Sequence, residues 1–296
     1  MDLTQDSSLL SALGILPSSK VTAHSHGGSS FSSTWRLTST TPDGHTSDYF
    51  VKTGTGQEAE VMFHGEHASL NAIADAVPSF CPRSHAHGPL STVPGKFFLA
   101  TDFLDLSGSG TAGSGETLAQ KLARLHTTPA PTPDGEDRAM FGFPVPTCCG
   151  NTVQDNSFRE SWAEFFADNR LRSILRAAVA RNGANGELSE TVERVASEVV
   201  PRLLGDGHPK VVKPVVVHGD LWSGNHGRGR IAGRGGVEEV VYDPSCVYGH
   251  SEYELGIMRM FGGYGGAFWK EYDELVPKSE PVDEWEDRIA LYELCV

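Results

Sequence analysis

The chain has 296 residues, 39% of them hydrophobic and 21% charged, the proportions of a folded globular protein rather than of a disordered chain or a fibre. Its 24 basic and 38 acidic side chains leave a formal charge of -14 with no local run of Lys and Arg to offset it, so neither nucleic acid nor an anionic membrane surface is an expected partner. Five cysteines without a Cys-x-x-Cys pair, a start lacking a basic segment and no membrane-length apolar run together lead us to expect an unprocessed cytoplasmic protein with reduced thiols.

In chain order, Asp6 is placed to cap a short helix from Ser7 to Leu13, which Gly14 and Pro17 stop. Val21–His24, Ser32–Thr40 and Ser47–Lys52 read as strands, the last two joined by a Pro42-Asp43-Gly44 turn. Apolar residues at helical spacing predict a helix from Glu58 to Ala76, ended by Pro78, and Lys96–Thr101 reads as a further strand. Ser107–Gly115 is the most linker-like stretch, so we place a lobe boundary near residue 105, dividing the chain into 1–105 and 106–296. Beyond it, Thr117–His126, Phe158–Ala180 and Glu187–Leu204 read as helices. The short strands Val215–Val217 and Val237–Tyr242 flank a polar, Gly-rich segment, and Tyr253–Phe261, Phe268–Leu275 and Glu284–Leu294 read as helices again. The expectation is an α+β, two-lobe, protein-kinase-like fold, with a small β-rich N-terminal lobe and a larger, mostly helical C-terminal lobe carrying a short β-hairpin.

The chemistry concentrates in Val217-His218-Gly219-Asp220-Leu221-Trp222-Ser223-Gly224-Asn225. This segment matches the kinase catalytic loop, His-Arg-Asp-Leu-x-x-x-Asn, at every fixed position except Arg. Such a loop needs Asp220 to accept a hydroxyl proton and Asn225, a neutral oxygen donor, to help hold magnesium. Downstream, Val240-Val241-Tyr242-Asp243-Pro244 presents Asp243 as a second metal ligand. In the first lobe, Tyr49-Phe50-Val51-Lys52 sets Lys52 at a strand end, suited to nucleotide phosphates, and the following helix offers Glu66 as its partner, with Glu58 and Glu60 as rivals. Gly27 and Gly28 open a small-residue turn, Gly27 to Ser32, that lacks the full Gly-x-Gly-x-x-Gly spacing yet lets backbone N–H groups approach phosphate; a plain hairpin turn is the other reading.

On these residues the chain resembles the fructosamine-3-kinase (ketosamine kinase) family, which is related to the aminoglycoside phosphotransferases. The specific matches are His218–Asn225, Tyr242–Ser245, Tyr248–Leu255, Phe63-His64-Gly65-Glu66, and Phe141-Gly142-Phe143 with Thr147–Gly150, in the family's order. The resemblance implies transfer of the γ-phosphoryl of ATP, with Mg2+, to the sugar 3-hydroxyl of ketosamines, meaning fructosamine or ribulosamine adducts on protein lysines or free amines, in repair of glycated protein. It implies Asp220 as base, Asn225 and Asp243 as magnesium ligands, Lys52 with Glu66 as the phosphate-anchoring pair, and the backbone of Asp102-Phe103-Leu104 as the hinge that holds adenine. Trp222, where protein kinases commonly carry Lys, suits stacking on a sugar or on the adduct's amine, or else packing. His250 is placed to orient the loop after Asp243 or to touch substrate. Gly219 in place of Arg leads us to expect activity without a phosphorylation switch. The rival readings are a kinase of another small acceptor (an aminoglycoside, choline or a simple sugar) and a non-catalytic scaffold of the same fold.

Two departures from the family pattern carry expectations. Ser25 to Thr34 contains no Cys, so redox control through that loop is not expected. The family ordinarily continues past the position of Leu294, whereas this sequence stops at Val296, leading us to expect a missing remainder or a less stable or less active protein. The pairs His64/His67, His85/His87 and His24/His26 lack carboxylate or Cys partners at ligand spacing, so surface or capping roles are expected rather than zinc. Phe158, Trp162, Phe165 and Phe166 fall at helical spacing and are expected in the core.

Overall fold

A computed structural model describes residues 2–28, 32–108, 113–205 and 212–294. Ser29 to Phe31 of the glycine turn and residues 109–112 of the linker lie outside the described residues. The chain forms two compact units, Met1–Glu116 with His226–Asp243, and Thr117–Asn225 with Pro244–Val296.

The first unit begins with helix α1 (Ser7–Ala12), whose N-cap is the fully buried Asp6. One Asp6 carboxylate oxygen accepts the Leu9 N–H at 3.0 Å and the other accepts the N–H and hydroxyl of Thr92, both at 2.8 Å, so the buried charge is met on both sides. Strands β1 (Lys20–Gly28), β2 (Ser33–Thr40) and β3 (Thr46–Thr55) follow as an antiparallel meander. Helix α2 (Gly56–Ala76) crosses to β4 (Ser84–Pro89) and β5 (Lys96–Asp102), giving a five-stranded sheet in the order β1-β2-β3-β5-β4. The period-2 alternation of β3 and β5 sorts their side chains by face. Val51 and Ala100 pack with Leu9 and Leu37, whereas Leu99 packs with Phe63 of α2. Lys52, paired with Leu99 across the sheet, therefore faces α2. It lies inside β3 rather than at a strand end, because the strand runs on to Thr55.

The short strand β6 (Leu104–Asp105) follows in the same unit. The second unit then opens with α3 (Leu118–Thr127), started by a capping box between Thr117 and Gln120. A small hairpin, β7 (Thr147–Cys149) and β8 (Thr152–Gln154), precedes α4 (Trp162–Phe165), which passes through a π-helical turn into α5 (Ser173–Asn182). That helix does not start at Phe158, because the backbone of the next residue, Arg159, is extended and exchanges hydrogen bonds with Phe141 at 2.8 and 2.9 Å. Helix α6 (Gly186–Arg194) likewise continues through a π-helical turn into α7 (Val200–Leu204).

After β9 (Val215–Val217), the strands β10 (His226–Ile231) and β11 (Glu238–Val241) return to the first unit. They do so because β10 pairs with β6, Ile231 opposite Leu104 and Arg230 opposite Asp105. The sequence reading puts Val237–Tyr242 in the second lobe, whereas its strand belongs to the first unit. The glycine-rich first strand of the pair, His226–Ile231, carries no β signature and escapes a sequence reading. The end of the linker is tied to the same sheet: the Gly113 N–H donates to the Val237 carbonyl, and the N–H and hydroxyl of Ser114 donate to the Glu238 carboxylate at 2.6 and 2.7 Å. Strand β9 pairs instead with β12 (Val247–Gly249), so the expected hairpin is two separate ladders. The second unit closes with α8 (Ser251–Phe261), α9 (Gly266–Leu275) and α10 (Trp285–Glu293). Trp162, Phe165 and Phe166 are buried in its core with Tyr253 and Tyr292, and Phe158 is half-buried against Gly142.

Candidate active site

In the first unit a cleft of about 340 Å³ is lined by residues that include Gly28, Lys52, Glu66, Asp102, Leu104 and Asp243. The Lys52 ammonium donates to Glu66 at 2.7 Å and to Asp243 at 2.6 Å. Glu58 and Glu60 stand exposed on the first turns of α2, so helical phase assigns the pairing to Glu66. Burial by itself would lower the Lys52 pKa, but the two carboxylates raise it above its ordinary value, and the ammonium stays charged. Burial raises the Glu66 carboxyl, with Lys52 acting against it. Asp243 has a φ of 56°, in the left-handed region that a non-glycine residue occupies at a cost, and its carboxylate is about half exposed.

The residues expected at the hinge divide. Burial would raise the Asp102 carboxyl, yet it is held below the usual range by hydrogen bonds from His85 at 2.7 Å and from the Arg83 N–H at 3.0 Å, with Arg234 nearby. Leu104 lines the cleft beside it. Phe103 lies outside that lining: its ring sits under the Arg36 guanidinium and against His26, its N–H donates to the Asp48 carbonyl and its carbonyl accepts from the Ala232 N–H. Gly27 has a φ of 92°, a conformation suited to glycine at the end of β1.

In the second unit the loop after β9 is held from beneath. Glu254 of α8, with no exposed surface, accepts the N–H of His218 at 2.5 Å and the N–H of Gly219 at 3.1 Å. Behind it, Nε2 of His126 lies 3.7 Å from the Glu254 carboxylate, while Nδ1 of His126 meets the Tyr272 hydroxyl at 2.6 Å. Gly219 has a φ of 80°, and a Cβ there would stand 2.0 Å from the Ser245 carbonyl, so the absence of the kinase Arg at this position has a steric reason as well. The adjoining Ser245 N–H donates to the His218 carbonyl at 2.9 Å.

On this support the Asn225 amide donates to the Asp220 carbonyl at 2.9 Å and to its carboxylate at 3.2 Å, which turns the amide oxygen away from the Asp220 carboxylate. Trp222 is 40% exposed, lies over Gly224 and packs at 5.9 Å from the Phe261 ring. His250 is a correction to the substrate-contact reading. It is buried, with Nδ1 bonded to Tyr292 and Nε2 to Ser279, both at 2.8 Å, and burial depresses its pKa to about 4. Its geometry is that of a residue orienting the start of α8. Sequence reasoning had no signal for Glu254 beyond its place in Tyr248–Leu255, since a carboxylate that serves backbone N–H groups has no side-chain partner at a recognisable spacing.

Among the described residues no group of three or more His, Cys, Asp or Glu side chains is arranged to hold a metal ion, Cys81, Cys148, Cys149 and Cys246 are not joined in disulfides, and no helix is long and apolar enough to cross a membrane. His67 is bonded to Ser84 at 2.9 Å and its ring neighbours His87.

The chain is 35% identical over 246 residues to a Synechocystis protein named a probable ketoamine kinase, covering 83% of this chain and 74% of that one. It is 32% identical over 246 residues to the chloroplastic protein-ribulosamine 3-kinase of rice, covering 83% of this chain and 66% of the relative. A solved Thermobifida fusca structure, described as a candidate fructosamine-3-kinase, superposes with a TM-score of 0.69 at 25% identity, over 97% of this chain and 90% of that one. The α+β, protein-kinase-like fold read from the sequence is therefore the fold of this chain. The family model described as fructosamine kinase matches residues 6–296, and the chain belongs to the fructosamine kinase family.

Proposed function

We propose that the protein transfers the γ-phosphoryl of ATP to the sugar 3-hydroxyl of a ketosamine, a ribulosamine or fructosamine adduct of a lysine or a free amine, and so serves deglycation. Family membership supports the reaction class. The observation that carries the nucleotide half is the Lys52 ammonium shared between Glu66 and Asp243 at 2.7 and 2.6 Å in the cleft. A lysine so held is a fixed point charge for phosphate oxygens, and it enters the reaction already ordered. We assign lobe 1–105, with the strand pair 226–243 packed on it, to the nucleotide, adenine being held by backbone groups of Asp102 and Leu104; residues from 106 onward otherwise serve the acceptor.

Asp220 accepts the acceptor's hydroxyl proton, kept in place by the Asn225 amide and by the Glu254-braced loop. Asp243 and Asn225 each offer an oxygen of the kind Mg2+ takes. Asp243 keeps half of its carboxylate exposed, and the Asn225 amide nitrogen faces Asp220, leaving its oxygen for a ligand. Magnesium binds through few protein oxygens plus substrate phosphates, so no closed side-chain cage is required. When bound, the ion would neutralise charge on the phosphoryl oxygens. We place the protein in the cytoplasm, in line with its composition.

The test is phosphate transfer from ATP to ribulosyl-lysine and fructosyl-lysine with magnesium, for the wild type and Asp220→Asn. Turnover in the wild type, reduced at least about 100-fold in the variant, is expected if Asp220 is the general base. Turnover only on an aminoglycoside, choline or a simple sugar would replace the ketosamine, and no turnover on any acceptor would favour a non-catalytic scaffold.

A further inference from the structure

The C-terminal end of α8 presents Met260 and Phe261 to solvent, 54% and 56% exposed, beside the 40% exposed Trp222. Of these, Phe261 and Trp222 are in ring contact, and together they form an exposed aromatic surface of the kind a ligand covers. Their place is set by the catalytic loop itself. The Trp222 N–H donates to the Asp220 carbonyl at 3.1 Å, the Tyr264 hydroxyl donates to the Leu221 carbonyl at 3.2 Å, and Gly263 stands so close to Ser223 that a Cβ would come within 2.6 Å of its hydroxyl. Gly262 and Gly263, with φ of 65° and 92°, turn the chain at this point, directly after the exposed Phe261. The rings of Trp222 and Phe261 meet at 5.9 Å and an angle of 51°, which makes an open aromatic corner rather than a closed stack.

We infer that Phe261 is a specificity-determining residue, forming with Trp222 a corner that takes the ammonium side of the acceptor. This rests on the ketosamine reading above. A ketosamine carries a secondary alkylamine on the carbon next to its carbonyl, protonated at neutral pH. A cation of that size is attracted to aromatic faces, Trp most strongly. Phe261 also limits the freedom of the Trp222 indole, so the two rings read the amine together.

The experiment compares fructosyl-lysine with its thioether analogue, in which sulfur replaces the nitrogen and no positive charge remains, by turnover and by isothermal titration. The readout is the ratio of the two, which a general loss of activity leaves unmoved. The wild type is expected to prefer the amine, with the preference falling about threefold to tenfold in Phe261→Leu, which keeps apolar bulk without a π face, and restored by Phe261→Trp. An undiminished preference in Phe261→Leu and Phe261→Ala, with the wild type active on fructosyl-lysine, overturns the role of Phe261 and leaves the ketosamine reading standing. A wild type that neither phosphorylates nor binds the amine overturns both.

Discussion

Replacing Glu254 by glutamine keeps the shape of the side chain and removes its charge where no solvent can compensate, since the residue has no exposed surface. The carboxylate accepts the His218 N–H at 2.5 Å and the Gly219 N–H at 3.1 Å. An amide has one oxygen and one NH2 group, so even with its oxygen at the position both N–H groups reach, 2.5 Å from His218 and 3.4 Å from Gly219, the Gly219 N–H loses its 3.1 Å acceptor and faces an NH2 group. A lost charge-assisted hydrogen bond costs about 1.5–3 kcal/mol, and a buried N–H left without an acceptor about 1–3 kcal/mol. A loop displaced to relieve about 3 kcal/mol moves Asp220 off its position, which corresponds to about 100-fold in kcat. Steady-state transfer to ribulosyl-lysine should show that loss, while nucleotide affinity, which we assign to Lys52 and the cleft of the first unit, stays near the wild-type value. A kcat within about threefold of wild type would refute the claim that Glu254 sets the geometry of Asp220, the proposed base.

Three other outcomes follow from the same contacts. Gly219→Ala should lower both the melting temperature and kcat, because its Cβ would stand 2.0 Å from the Ser245 carbonyl at a φ of 80°; calorimetry and rate measurements showing wild-type behaviour would mean that the loop relaxes freely. Lys52→Met strands the buried Glu66 without its cation, costing about 3–5 kcal/mol, so Lys52→Met/Glu66→Gln should melt above the single variant although neither turns over ATP; equal melting points would argue against the pair as drawn. The His250 pKa is depressed to about 4 by burial, so the unfolded chain takes up a proton that the folded one refuses, and stability is full above the ordinary histidine range near 6.5. It is lost as pH falls from there towards 4, by on the order of 3 kcal/mol, and urea unfolding of His250→Gln should show a shallower acid slope in that window.

Much of the candidate site is legible because it is local in sequence. Asp220 and Asn225 lie in one loop, so their hydrogen bond at 3.2 Å needs only that loop to close. The choice of Glu66 over Glu58 and Glu60 is a matter of phase: once α2 begins at Gly56 behind β3, the first two face solvent and Glu66 reaches Lys52. Composition and period likewise suffice for α1 with its Asp6 cap, the β1–β3 meander and the helices of the second unit, each a decision made over a few neighbouring residues.

What only the tertiary structure decides is long-range pairing and burial. Val215–Val217 takes Val247–Gly249 as its partner, and the glycine-rich His226–Ile231 becomes a strand because β6 and β11 offer it two edges; neither strand's composition names its neighbour. Burial separates the two residues singled out for substrate, leaving Trp222 open and enclosing His250 between Tyr292 and Ser279. It also gives Glu254 its task, thirty-five residues from Gly219 along the chain and 3.1 Å from its N–H in space. Spacing in the sequence can propose which side chains share a chemistry, but which buried backbone group needs an acceptor is known only once the chain has enclosed it.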